Sequence, residues 1–210
     1  MLIICAGTAT EVGKTWVGAA ALTELRGRGH TVAARKPAQS FDPADDHPLD
    51  ADVLGEATGE SPDVVCLPSR TYPVAMAPPM AADVLGLPLP TLQELLDELQ
   101  WAQPEPEVRW LETVGGPRSP IAVDADAVDL VARLEPHLVV LVADAGLGVI
   151  NAVLLSIAPL REQGHDPIVV LNRFDPDDDL HRRNADWLQS HDVITLLSVG
   201  ALVDVIEQAL

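Results

Sequence analysis

Positive charge is scarce in this chain. Thirteen lysines and arginines face 32 aspartates and glutamates, a formal net charge of −19. No basic stripe interrupts that balance, which excludes recognition of a phosphate backbone, so nucleic acid is not an expected partner. The acidic segments FDPADDHPLDAD (41–52) and RFDPDDDL (173–180) read chiefly as solvated loops. Long hydrophobic runs are also missing: none reaches the roughly 20 residues that cross a bilayer, so no membrane association is expected. MLIICAGTAT, at the start, lacks the basic flank of a signal peptide. Cysteine is confined to Cys5 and Cys66, far apart in sequence, and a disulfide is not expected. The six histidines (30, 47, 137, 165, 181 and 191) form no metal-ligand spacing. These absences together predict a cytoplasmic protein.

Apolar residues make up 48% of the 210 positions and are spread along the whole length. Short apolar runs alternate with helical stretches, without internal repeats or long linkers. LIICAG (2–7) predicts a strand buried on both faces, with Cys5 as a small core residue. TWVGAAALTELRGRG predicts a helix ended by Gly27 and Gly29, and HTVAARKPA (30–38) a second strand stopped by Pro37. DADVLGEATG (50–59) and TLQELLDELQ (91–100) predict helices, the latter opened by a Thr91/Glu94 capping box. EVRWLETVGG (107–116) predicts a strand running into a glycine loop, and HLVVLVADAG (137–146) the clearest buried strand of all. A helix at 149–163, a strand at 167–172, a helix at 179–190, a strand at 193–197 and a terminal helix complete the pattern. The alternation predicts a single α/β domain over 1–210, a parallel sheet covered by helices on both faces. Ligands of such sheets bind beyond the carboxyl ends of the strands. Gly7–Thr15, Lys36–Ser40, Glu112–Gly116 and Ala143–Gly148 all follow predicted strands and would line one edge of the sheet.

Chemistry concentrates in GTATEVGKT (7–15). A phosphate-binding loop of the form G-x-x-x-x-G-K-[ST] requires glycine at the place of Thr8, and the glycine here is one step earlier, at Gly7. Strand, glycine-bearing loop and helix are nonetheless in the right order. Helix N-terminal N–H groups would face the anion, Lys14 would reach the β- and γ-phosphates, and the Thr15 hydroxyl would bind Mg²⁺. The acidic surface repels ATP at long range, so the site must supply its own positive field. Lys36, aimed by Pro37, is either a surface lysine or a second cation for a transferring phosphoryl group. Mg²⁺ takes one or two carboxylates besides phosphate and water, which points to Glu112 at a strand end and to Asp50. Asp45, Asp46 and Asp52 compete with Asp50 on sequence alone.

In order along residues 1–173, these segments resemble the dethiobiotin synthetase family, a branch of the P-loop NTPase group that also holds the partition-type ATPases. GTATEVGKT is similar to that family's GT-x-T-[EG]-VGKT loop, displaced glycine included. KPAQS (36–40) resembles its K-P-V-x-S segment, and Asp50 falls where the family has a metal-binding aspartate before a helix. YPVAMAPPMAA (72–82), ETVGG (112–116), AGLGVINAVLLS (145–156) and Asn172 in VVLNR match further segments. The resemblance implies ATP and Mg²⁺ as cofactors, and the conversion of 7,8-diaminopelargonic acid and CO₂ to dethiobiotin through a carbamate and a carbamic–phosphoric anhydride. It implies Lys14 and Lys36 at the transferring phosphoryl group, Thr10 and Ser40 at the carbamate or amines, and Thr15, Asp50 and Glu112 at the metal. Glu11, Val12, Gly13, Trp16, Glu112 and Asn172 would flank the nucleotide, Asn172 at the base. The substrate's carboxylate tail would be held partly by Leu147, Gly148 and Asn151 of a partner subunit, which implies a homodimer. Trp16 is otherwise expected to pack the first helix against its surroundings.

The departures lie on the substrate side. Phe41 replaces a glycine, Thr113-Val114 replaces Gly-Ala, PRSPI (117–121) replaces an apolar continuation, and Ala152 replaces a histidine. A turn that glycine permits would then fall to a β-branched residue at 113 or 114. Two rival readings stand beside the enzyme. One is a partition-type nucleotide-switch ATPase, opposed by Ala9, where that class carries its signature lysine. The other is a divergent relative that binds ATP but uses another amine.

Overall fold

A computed structural model describes residues 1–210. Its elements in chain order are β1 (Leu2–Gly7), α1 (Lys14–Gly27), β2 (Val32–Arg35), β3 (Gln39–Ser40), α2 (Asp50–Thr58), α3 (Pro62–Val65) and β4 (Thr71–Tyr72). There follow α4 (Pro78–Val84), α5 (Leu92–Glu98), β5 (Val108–Glu112), β6 (Pro120–Ala122), β7 (Ala125–Asp126) and α6 (Ala127–Leu134). The chain ends with β8 (Leu138–Asp144), α7 (Val149–Glu162), β9 (Ile168–Asn172), α8 (Asp179–Ser190), β10 (Thr195–Leu196) and α9 (Val199–Gln208).

Six of the strands form one sheet in the order β10-β9-β8-β1-β5-β2, and every neighbouring pair is parallel. All six strands therefore end on the same side. The chain runs first from β1 to β2 and β5, then crosses to β8, β9 and β10, so β1 sits at the switch in direction where such sheets open a crevice. Because side chains alternate faces, β1 divides its apolar residues between two cores. Ile3 and Cys5 pack with α1, α2 and α9 through Leu22, Leu25, Leu54 and Ile206. Leu2 and Ile4 turn to the other face with Leu95, Leu130 and Leu160, and Ala6 joins Val153 and Leu188 there. Continuous apolar runs in the sequence are thus explained by burial from both sides.

The structure adjusts several expected boundaries. The strand expected over 30–38 is only Val32–Arg35, because the chain leaves the sheet before Pro37, whose nitrogen has no proton for a ladder bond. The strand at 193–197 shrinks to a two-residue edge at Thr195–Leu196. Helix α6 was not foreseen, although Asp126 caps it by accepting from the Val128 and Asp129 amides at 2.8 and 3.1 Å. Two small sheets, β3 with β4 and β6 with β7, also lie outside the alternating pattern. The glycine-loop turn after β5 is made at Gly115 (φ +53°), and Thr113 and Val114 keep ordinary backbone angles. That corrects the expected burden on the β-branched pair.

The C-terminal helix α9 is fastened by Leu202, Val203 and Ile206 in the core and by an ionic rim. Arg28 pairs with Glu24, Asp204 and Glu207, while His30 Nε2 lies 3.0 Å from Glu207 and Nδ1 3.6 Å from Glu107. The Glu207 hydrogen bond holds the His30 pKa above its ordinary value, and the bond to the Thr31 amide holds Glu107 below its own. A histidine raised in this way stabilises the fold fully below its unfolded pKa of about 6.5, and the contribution is lost as pH rises through the folded value. The lowered carboxylates act in the opposite sense, losing their contribution as pH falls through their folded values. Thermal unfolding followed against pH should therefore show stability declining as pH rises from about 6.5 through the raised His30 value. His30→Gln should flatten that alkaline limb and also weaken the part of the acid limb owed to Glu207, whose carboxyl His30 helps hold down.

Candidate active site

The loop from Gly7 to Gly13 leaves the carboxyl end of β1 and delivers Lys14 and Thr15 as the first residues of α1. Gly13 caps the helix at φ +90°, and a Cβ there would run into the Asn172 amide. Glycine is thus required twice over, by backbone angle and by space. The loop is held from β8, from β9 and from the turn after β5. The Gly7 amide donates to Gly115 O (3.1 Å), the Thr8 amide to Val142 O (2.9 Å), and Asn172 Nδ2 to Val12 O (2.9 Å). Glu11 adopts the left-handed conformation (φ +60°), uncommon outside glycine, and Arg173 Nη2 donates to its carbonyl at 3.0 Å. The same guanidinium reaches Asp144 Oδ2 at 2.6 Å.

Beside the loop, four side chains from four elements meet. Thr15 Oγ1 lies 2.7 Å from Asp50 Oδ1 and 2.8 Å from Glu112 Oε1. Lys36 Nζ lies 2.6 Å from Asp50 Oδ2 and 2.7 Å from Glu112 Oε1. The structure thereby chooses Asp50 among its neighbours: Asp45 and Asp46 are exposed, and Asp52 accepts from the Leu49 amide at 3.0 Å. Glu112 is fully buried and Lys36 nearly so. Burial by itself would lower the Lys36 pKa, but Glu112 and Asp50 outweigh it and hold the ammonium above its ordinary range. For Asp50, burial pushes upward, and the pull of Lys36 with the Thr15 hydrogen bond leaves the carboxyl below its usual value. Lys14 goes the other way: burial dominates over attraction to Glu112 and lowers its pKa. Its Nζ rests on the carbonyl of Ala9, 3.3 Å away.

Oxygen is in surplus in this cluster. The Thr15 hydroxyl has one proton for two carboxylates, and the buried Glu112 Oε2 has no hydrogen-bond partner. A hydroxyl, two carboxylates and an unsatisfied buried oxygen make a donor set suited to a hard divalent cation, and Thr15, Asp50 and Glu112 fit Mg²⁺.

Two cavities flank the loop. One, of about 640 Å³, is lined by Gly13, Trp16, Asn172, Arg173, Phe174 and Leu197 among others. Trp16 is 61% exposed on its wall, so it does not pack α1 as expected: the face of α1 toward the sheet is filled by Val17, Ala21, Leu22 and Leu25. The other, of about 500 Å³, is bordered by Thr8, Thr10 and the 115–120 loop. Glu11 is exposed, and Val12 is buried beneath the loop. Ser40 donates to Met76 O at 2.6 Å, away from the Lys36 cluster, and Phe41 keeps the strand pairing through its amide to Tyr72 O (3.0 Å). Leu147 is 91% exposed, Gly148 caps α7 at φ +94°, and Asn151 faces solvent on the first turn. None of these three touches the cluster within this chain by any hydrogen bond.

Asp144 and Arg173 were missed in the sequence. The signal was present, since Asp144 ends one strand, Arg173 follows the next, and β8 and β9 pair with Asp144 level with Asn172.

The geometry agrees with relatedness. A family model described as an AAA domain matches residues 2–205. The ATP-dependent dethiobiotin synthetase BioD of Xanthomonas campestris pv. campestris is 37% identical over 174 residues, spanning 81% of this chain and 77% of the relative. The enzyme of the same name from Haloferax mediterranei is also 37% identical, over 181 residues, 85% of this chain and 74% of its own. This chain belongs to the dethiobiotin synthetase family. Among solved structures, a plasmid partition protein of Borrelia burgdorferi bound to AMPPNP superposes with a TM-score of 0.56 at 14% identity, covering 94% of this chain and 86% of that one. The signal recognition particle receptor FtsY of Elizabethkingia anophelis with GDP gives 0.52 at 15% identity, over 98% and 63%. These two likenesses place the family member in the P-loop NTPase fold.

The buried cluster generates a stability prediction. Lys36→Met should cost roughly 3–5 kcal/mol, because it leaves Glu112 charged and uncompensated in the interior. Adding Glu112→Gln should recover part of that loss. Denaturant unfolding of the single and double variants measures both, and equal stability of all three proteins would refute the pairing.

Proposed function

We propose that this chain is an ATP-dependent dethiobiotin synthetase, a cyclo-ligase of biotin biosynthesis. The carrying observation is the meeting of Lys36, Asp50 and Glu112 with Thr15 beside a phosphate loop, in a chain of this family. One amine of 7,8-diaminopelargonic acid adds to CO₂ and loses a proton to give a carbamate. A carbamate oxygen attacks the γ-phosphorus of ATP and ADP leaves. The second amine then attacks the carbamoyl carbon, closing the cyclic urea and expelling phosphate.

In this reading Lys14 leaves the Ala9 carbonyl for the β- and γ-phosphates, where backbone N–H groups of the loop and α1 already point. Lys36 neutralises charge on the transferring phosphoryl group, and its raised pKa keeps it cationic throughout the working range. Mg²⁺ held by Thr15, Asp50 and Glu112 would supply charge neutralisation at the phosphate oxygens. Thr10 and Ser40 orient the carbamate and amines from the two sides of the loop. The base and ribose occupy the cavity lined by Gly13, Trp16 and Asn172, with Glu11 and Val12 at its edge. Asn172 gives one amide proton to Val12 O, which leaves its other N–H and its carbonyl oxygen for the base.

The proposal extends to a homodimer acting as one unit per 210-residue chain in the cytoplasm. Leu147, 91% exposed just ahead of α7, supports a partner face there, with Gly148 and Asn151 offered to the neighbouring subunit's substrate. No helix is long and apolar enough to cross a membrane.

Phosphate release by the purified protein with Mg²⁺, ATP and bicarbonate should depend on added 7,8-diaminopelargonic acid, with dethiobiotin identified by mass. Lys14→Ala should abolish that release while circular dichroism stays native. ATP hydrolysis indifferent to the diamine would instead favour a nucleotide switch.

A further inference from the structure

The 500 Å³ cavity on the far side of the phosphate loop contains one charged residue, Arg118, among Thr8, Thr10, Gly116, Ser119 and Leu155. We propose that Arg118 is a specificity-determining residue that binds the substrate's terminal carboxylate from within the same subunit. This inference rests on the dethiobiotin synthetase reading above and adds, beside the contacts offered by a partner subunit, a same-subunit contact that favours a diamino acid over a plain diamine.

Arg118 is held by one anchor. Its Nη1 lies 3.0 Å from Asp126 Oδ2, while the other oxygen of Asp126 caps α6. Asp126 therefore cannot swing away without uncapping the helix, and it tethers the guanidinium at one nitrogen. Nη2 and Nε remain uncommitted on a side chain that is 60% exposed. Two parallel N–H donors in one plane match a carboxylate, which lysine at this place could attract but not grip in the same way. The rest of the wall suits the remainder of such a molecule. Ser119 Oγ accepts from the Gly116 amide at 2.9 Å, which leaves its proton to donate, and the exposed Leu155 with Pro117 and Pro120 offers apolar surface to a methylene chain. The reacting end of the molecule is then beside Thr10 and the phosphate loop, which line the same space. Charge gives Arg118 a further reason to be there. A chain of net charge −19 repels a carboxylate at distance, so capture requires a local cation.

The test compares 7,8-diaminopelargonic acid with the corresponding nonane diamine that lacks the carboxylate, using the full-length wild type, Arg118→Leu and Arg118→Lys. Arg118→Leu should raise KM for the diamino acid roughly 10- to 100-fold, the loss expected for a charged hydrogen-bonding partner. Its kcat, KM for ATP and KM for the plain diamine should stay within about twofold of wild type, the pattern of a lost ground-state contact. Arg118→Lys should recover part of the affinity. Equal losses with both diamines, or no loss with either, would overturn the inference while leaving the enzyme reading intact. Absence of phosphate release from wild type with the diamino acid would overturn the enzyme reading and the inference together.

Discussion

Glu112 is a fully buried carboxylate at the end of a central strand, and the active site is arranged around the need to balance it. Lys36 is drawn in from β2 by its charge, Thr15 from the start of α1 by its hydroxyl, and Asp50 from the head of α2 by the ammonium that Glu112 already holds. Each of these groups would be costly alone in the interior. Held within hydrogen-bond distance they are tolerable, and the surplus of anionic oxygen makes the place receptive to a further cation. The cluster thus ties three secondary structures to one point, which lies beside the loop where phosphate would be bound.

The phosphate loop separates two spaces of different character. On the β9 side the walls are mainly apolar, with an amide and an indole at the rim, as suits a flat heterocycle. On the β5 side hydroxyls, glycines and a single guanidinium line the space, as suits a short polar chain. The clasp between Arg173, Asp144 and the Glu11 carbonyl braces the loop at the position where its backbone departs from ordinary angles. Strain of that sort persists only where surrounding contacts fix it, and functional loops are where it is commonly found.

Much of this was legible in the sequence, and for physical reasons. Runs such as LIICAG and HLVVLVADAG can only be strands covered on both faces, so the parallel sheet and the side on which its loops gather followed directly. Lys14, Thr15 and Glu112 were readable because each sits at the end of a strand or at the mouth of a helix. Asp50 could not be separated from Asp45, Asp46 and Asp52 by type or spacing; the family resemblance singled it out, and the approach of α2 to Lys36 gives the physical reason. Trp16 was misjudged because its large apolar ring suggests a core, whereas its place in the helical rotation carries it to the open side. Asp144 with Arg173 is signalled only through the pairing of the successive strands β8 and β9, and Arg118 depends on a cavity closed by α7. Neither relation has a local signature.

The two halves of the site hang from supports of unequal depth. The phosphate loop descends from β1, which has paired strands on both sides and a core above and below it. Ser40 and Phe41 hang from the short β3–β4 pair, which shares no ladder with the main sheet. Local opening of a fold is governed by how many contacts must be given up together. The small pair has fewer contacts to give up than β1, so its local opening costs less than any separation of the strand beneath the phosphate loop. The diamine's side of the site is in this way the softer one and the triphosphate's side the firmer, with Lys36, just ahead of β3, as the link between them.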